Sequence, residues 1–198
     1  DQLQRFCDLG MSFSAAAESE MSQGHGHPLT GRLRALGRAP SLGVDLESVM
    51  SGDMVSQARI ALGIQRSLDN VAHRAAHGSI PDTSTITARE AVGWIRVEGA
   101  RMLKQLDRIG TLAPGKQADL VLVRADDLNM QPVHDPVAAV VFQSSLANID
   151  GVMVAGQWRK RGGRLLDVDL PPVLAALRAS GEKITRAMGI GAPQGVAA

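Results

Sequence analysis

The chain has 198 residues, 44% of them hydrophobic, and a formal net charge of +1, enough for one ordinary globular domain or parts of two and too apolar for a disordered segment. Lys and Arg number 21 against 20 Asp and Glu, with no long basic run, which argues against a nucleic-acid or anionic-membrane binder and leaves a small molecule or another piece of protein as the partner. No apolar stretch reaches the ~18–20 residues that span a bilayer, no signal-peptide pattern opens the chain, and the single cysteine, Cys7, cannot form an internal disulfide; a reducing compartment, by default the cytoplasm, fits these features.

Leu3, Phe6 and Cys7 stand at helical spacing before Gly10, which predicts a helix closed by a glycine cap. Opening on such a helix at Asp1, without an initiator Met, reads as a start within a longer protein. The apolar run Met11 to Ala17 has the length of a buried strand, and polar Glu18-Ser19-Glu20 and a Gly/His/Pro loop follow it. Thr30 to Leu36 is helical up to Gly37, and Pro40 to Asp45 is a second short strand ending on a carboxylate. Helix, strand, helix, strand is the order of a parallel sheet wrapped by helices. Asp53 is placed to cap a long helix reaching about Ala76, and Thr87 with Glu90 fits a capping box that opens a helical stretch through Trp94 to Leu103.

Near residue 109 the composition changes. Gly110, Pro114 and Gly115 approach Ala118 to Val123, a run rich in valine and leucine that predicts a strand. Val137 to Phe142 and Gly151 to Ala155 read as two more strands, with Gly156 turning into Gln157 to Lys160. A helix from Pro171 to about Met188 follows, and Gly189 to Ala198 reads as a frayed tail.

The stretch Ile109-Gly-Thr-Leu-Ala-Pro-Gly-Lys-Gln-Ala-Asp-Leu-Val-Leu-Val123 closely resembles the "GxLxxGKxADLVxx" segment of metal-dependent amidohydrolases, in the branch holding deaminases and triazine chlorohydrolases. Ile149-Asp-Gly-Val-Met-Val-Ala-Gly156 is similar to that family's "V-x-V-x-G" hairpin, and Ser41-Leu-Gly-Val-Asp45 to its "LGTD" or "LGVD". The resemblance implies an α/β fold: the C-terminal part of a (β/α)8 barrel over residues 1–106, strands of a small composite β-sandwich over 107–166, and a terminal helix and tail over 167–198. It also implies a hydrolase that removes ammonia, chloride or a similar group from a nitrogen heterocycle, or opens a cyclic amide.

In the resembling proteins the aspartate of "LGTD" closes the last barrel strand and binds the catalytic metal, so the resemblance makes Asp45 both a metal ligand and a catalytic proton acceptor. An Asp at the C-terminal end of a buried strand stands where barrel enzymes hold their chemistry. The implied cofactor is one divalent ion, zinc with iron or manganese as alternatives, which activates a water for attack on an sp2 carbon. Ala17-Glu-Ser-Glu-Met21 lies where relatives carry "P-x-S-N", a segment lining the substrate pocket. Glu20 there has two open roles: hydrogen-bonding substrate N–H groups, or accepting local backbone amides. Glu18 reads as a solvated or helix-start charge. His25 and Ser48 are candidate substrate contacts, with solvated loop roles as the bland alternative. The pair His25 and His27 is not expected to bind metal, because the family's His-x-His ends the first barrel strand. That pair, the later histidines and the acid/base glutamate have no counterpart among the 198 residues. The chain therefore reads as a fragment, inactive alone, or as a structural or dimerising module whose exposed strand edge pairs with a second copy.

Overall fold

The structure is a computed structural model, in which residues 2–190 are described. The chain divides between Arg164 and Leu165 into two compact units. Helix α1 (Gln2–Asp8) ends as its glycine predicts: Gly10 has φ +79°, and the amides of Gly10 and Met11 bond the carbonyls of Cys7 and Phe6 at 3.0 and 3.1 Å, satisfying carbonyls the helix leaves open. Strands β1 (Ser14–Ala15) and β2 (Ser41–Leu42) pair in parallel, Ser14 opposite Ser41 and Ala15 opposite Leu42.

Both strands are shorter than the runs predicted for them. The first stops early because Ala17 already belongs to α2 (Ala17–Ser22), which takes in Glu18-Ser19-Glu20. A carboxylate oxygen of Glu20 accepts the Ala16 amide at 2.9 Å, and Ala17 and Ser19 are buried; a side-chain cap and an inward face turn this polar segment into a helix. Helix α3 (Thr30–Ala35) follows and stops before Gly37, whose φ is +68°.

Helix α4 (Met54–His77) is opened by Asp53, which accepts the Ser56 amide at 2.7 Å, and closed by Gly78 in the left-handed region. Its inward face is built from small and medium residues, Ala58, Ala61 and Leu62, all fully buried against Ala15, Ala17 and Leu42. Alanines at this contact let the helix approach the strand pair closely, and burying a side chain such as Leu62 or Ile86 contributes about 1.5–3 kcal/mol. The capping box of Thr87 and Glu90 opens α5 (Ala88–Trp94), but the helical stretch does not run unbroken to Leu103. Arg96 leaves helical geometry (φ −132°, ψ −86°) and α6 (Val97–Met102) begins anew.

A four-stranded sheet has the order β3 (Leu120–Val123), β4 (Ile149–Val154), β5 (Gln157–Arg161) and β6 (Arg164–Leu165), with β3–β4 and β4–β5 antiparallel. Asp119 accepts the Ala155 amide at 2.6 Å, fixing the hairpin turn beside the start of β3. Val137 to Phe142, predicted as a strand, is instead α7 (Pro136–Phe142). Asp135 accepts the amides of Val137 and Ala138, and Pro136 occupies the first turn; the cap, together with burial of Ala139 and Val141, outweighs the β preference of the valines. Arg59 of α4 donates to the carbonyls of Val141 and Ser144 at 2.7 and 2.5 Å, joining α7 to the helical layer. In the second unit, α8 (Leu170–Ala187) carries Pro171 and Pro172 in its first turn and keeps Val173, Leu174, Leu177 and Ile184 exposed. Of the tail predicted to fray, residues 191–198 lie outside the described part.

Asp127, between β3 and α7, joins the Arg124 guanidinium at 3.1 Å and accepts the Asn148 side-chain amide at 2.7 Å. These partners, Arg124 first, hold its carboxyl below the usual carboxylate range. A carboxyl depressed in the folded state adds stability that is present above its unfolded pKa of ~3.9 and is lost as pH falls through the lower folded value. Asp127→Asn is therefore expected to cost stability near neutral pH by a margin that shrinks as acid is added below pH ~4, read from urea midpoints across pH.

Gly110 has φ +86°, and a Cβ there would stand 2.6 Å from the Cβ of Ala100. Gly110→Ala is expected to destabilise by roughly 2–4 kcal/mol through strain and overlap together. Gly115→Ala, equally left-handed but facing open space, costs less; denaturant midpoints separate the two.

Candidate active site

Because β1 and β2 run in the same direction, the residues following each emerge at one end of the pair. After β1 comes the head of α2; after β2 come Gly43, Val44 and Asp45. Asp45 adopts φ +70°, a left-handed turn that Asp tolerates better than most residues. Its Oδ2 accepts the Ser19 hydroxyl at 2.5 Å, and Ser19 in turn accepts the Gln23 side-chain amide at 3.0 Å. Ser19 is 2% exposed, whereas Asp45 is exposed, so a buried hydroxyl holds one oxygen of a carboxylate that otherwise faces outward. Among the described residues, Asp45 makes no salt bridge.

The other site residues read from the sequence are distributed around this contact. Glu20 is half-buried, with one carboxylate oxygen on the Ala16 amide. His25, in the loop after α2, is exposed, its amide bonded to the Glu20 carbonyl at 2.7 Å. Ser48 is exposed in the turn after Asp45. Hence α2 and β2 are joined through Ser19 and Asp45, while His25 and Ser48 stay on flanking loops.

Of the two readings of Glu18, the helix-start charge is the one found, in the first turn of α2, and it is not a merely solvated one. Its carboxylate accepts the Ser51 amide at 2.9 Å, the Ser51 hydroxyl at 3.2 Å and the fully buried Gln57 amide at 2.7 Å. Three donors compensate a carboxylate withdrawn from water, and they tie the segment after Asp45 to both α2 and α4. Neither Glu18 nor Ser19 stands out as functional in the sequence, although Ser19 is the position at which Ala17-Glu-Ser-Glu coincides with "P-x-S-N".

Two clefts lie away from Asp45. One of about 760 Å³ runs along α4, past Arg66, Asn70, Val71 and Ile80. The other, about 580 Å³, is lined by Phe13 and Ala39, which precede β1 and β2, together with Leu33 and Arg38. Among the described residues, no three His, Cys, Asp or Glu side chains gather so as to hold a metal ion. Asp45 fits one anionic oxygen ligand, not a complete set.

Residues 17–159 match the amidohydrolase family. The chain belongs to that family. An 8-oxoguanine deaminase from Pseudomonas aeruginosa is 35% identical over 181 residues, covering 91% of this chain and 37% of that protein. The amidohydrolase chain thus spans well under half the length of this curated relative. Its fold is shared with an adenosine deaminase from Xanthomonas campestris with bound zinc (TM-score 0.77, 24% identity, 93% of this chain and 40% of the other). It is shared too with a mutant atrazine chlorohydrolase from Arthrobacter aurescens complexed with zinc and atraton (TM-score 0.72, 23% identity, 90% and 37%). Among the described residues, no helix is long and apolar enough to cross a membrane.

The left-handed backbone of Asp45 can be tested apart from its carboxylate. Asp45→Gly and Asp45→Ala both remove the bond to Ser19, but only glycine adopts this turn without strain. The glycine variant is expected to be the more stable by roughly 1 kcal/mol, measured by chemical denaturation.

Proposed function

We propose that this chain is the C-terminal portion of a longer hydrolytic amidohydrolase, deaminase-like, that cleaves a C–N or C–Cl bond of a nitrogen heterocycle with a metal-activated water. In this reading residues 1–106 close an eight-stranded barrel, 107–166 supply sandwich strands and 167–198 form the closing helix and tail. The observation that carries it is Asp45: an exposed residue three positions beyond the C-terminal end of a strand in a parallel pair, its carboxylate held by a neutral hydroxyl and free of any cationic side chain among the described residues. A carboxylate committed to a lysine or arginine would have no charge left to offer a cation.

Zinc is the proposed ion, supported by the zinc-bound relatives of the same fold, with Asp45 as one ligand and the remaining ligands on polypeptide outside this chain. Such an ion supplies Lewis acidity, bringing the pKa of the water it holds toward neutrality. Asp45 would ligate the ion and take a proton through its carboxylate, which Ser19 steadies at Oδ2. Glu20 offers a carboxylate oxygen to ring or amino N–H groups of a substrate, and His25 and Ser48 contact it from the flanking loops. Alone, the two strands cannot close a ring of eight, and one ligand leaves a metal mostly hydrated, so the isolated chain is inactive.

The test compares this chain with the full-length protein for zinc content and for ammonia release from aminated purines, pyrimidines and triazines, with chloride release from chlorotriazines. Full-length protein is expected to bind zinc and turn over one of these classes, and Asp45→Asn to lose at least about 100-fold in kcat. Full-length protein that is metal-free and inactive on every class would remove the hydrolase reading. Turnover by the isolated chain would show that the proposed division of the site is wrong.

A further inference from the structure

Ser19 has a single hydroxyl proton and two lone pairs. Gln23 donates into one lone pair at 3.0 Å, and Asp45 Oδ2, which has no proton to give when ionised, lies at 2.5 Å. The two contacts leave the hydroxyl one arrangement that satisfies both: it receives from Gln23 and donates to Asp45. The reversed orientation of the Gln23 amide would face two acceptors toward one proton, and the network selects against it. Burial of Ser19 at 2% exposure keeps bulk water from competing for that proton.

We infer that Ser19, directed by Gln23, is a positioning residue that fixes the orientation of the Asp45 carboxylate as a metal ligand. The proposal rests on the metal-ligand reading of Asp45 and extends it to the groups that aim the ligand. A carboxylate three residues past a two-residue strand, on a left-handed backbone, can rotate about both of its side-chain torsions, and the bond from α2 restricts that freedom before any cation arrives. Preorganisation of this kind shows in ligand affinity and in kcat rather than in substrate affinity, because Ser19 is buried and its proton is directed to Asp45.

The experiment uses the full-length protein with Ser19→Ala, Ser19→Thr, Gln23→Leu and Asp45→Asn, each checked for folding by thermal melting. Zinc affinity is measured by competition with a chromophoric chelator, and kcat and KM on the best substrate of the panel above. Ser19→Ala is expected to lose about 10–100-fold in zinc affinity and kcat, with KM changed less than about threefold on the same argument. Ser19→Thr, which keeps the hydroxyl, is expected to recover most of the loss, and Gln23→Leu to fall between Ala and wild type. If Ser19→Ala does not fold, Gln23→Leu decides, since Gln23 is exposed and its loss does not empty a buried site. Wild-type zinc affinity in Ser19→Ala, or in Gln23→Leu when that variant decides, overturns the proposal, as does a threonine variant no better than alanine. Retained zinc in Ser19→Ala alongside loss in Asp45→Asn defeats this proposal alone, whereas retained zinc in Asp45→Asn defeats the ligand reading beneath it.

Discussion

Two residues of strand on each side, Ser14-Ala15 and Ser41-Leu42, set the direction of everything around Asp45. Because they run in parallel, the head of α2 and the end of β2 come out at the same rim, and Ser19 can meet Asp45 across 26 positions of sequence. So short a pairing does not hold itself. It is clamped by α4, whose alanines and Leu62 press on Ala15, Ala17 and Leu42, and by Glu18, which gathers Ser51 from the segment after Asp45 and Gln57 from α4. Packing on one side and a carboxylate network on the other keep the rim in register.

What the sequence made legible follows the range of the interaction. The Asp53 cap, the Thr87 and Glu90 capping box and the glycine stops at Gly10 and Gly37 are settled within four residues, so the local pattern is the whole cause. Val137 to Phe142 is the instructive failure. Its valines favour a strand, yet Asp135 and Pro136 stand just before them as a cap and a first-turn proline, and two buried side chains decide for helix. Read as a helix-start signal, that Asp-Pro pair outranks the β-branched run behind it.

Asp45 stands out in the sequence as a candidate because a carboxylate following an apolar run is visible in one line of sequence. Glu18 and Ser19 do not, since their partners stand 26 to 39 positions away, and nothing local separates a structural glutamate from a solvated one. Glu20 shows the converse. The polar segment following β1 invites a substrate role, and the structure gives one oxygen of Glu20 the local duty of accepting the Ala16 amide.

The four-stranded sheet does not follow the helical layer in the chain; it brackets part of it. Strand β3 leaves after α6, the chain then returns to lay α7 on α4 and α5, with Arg59 gripping its end, and only afterwards completes β4 to β6. No single cut can lift the sheet away intact: severing before β3 takes α7 with it, and severing after α7 strands β3 with the helices. Recombination or domain grafting in this region would have to exchange both pieces together, which makes the sheet and α7 one unit of exchange.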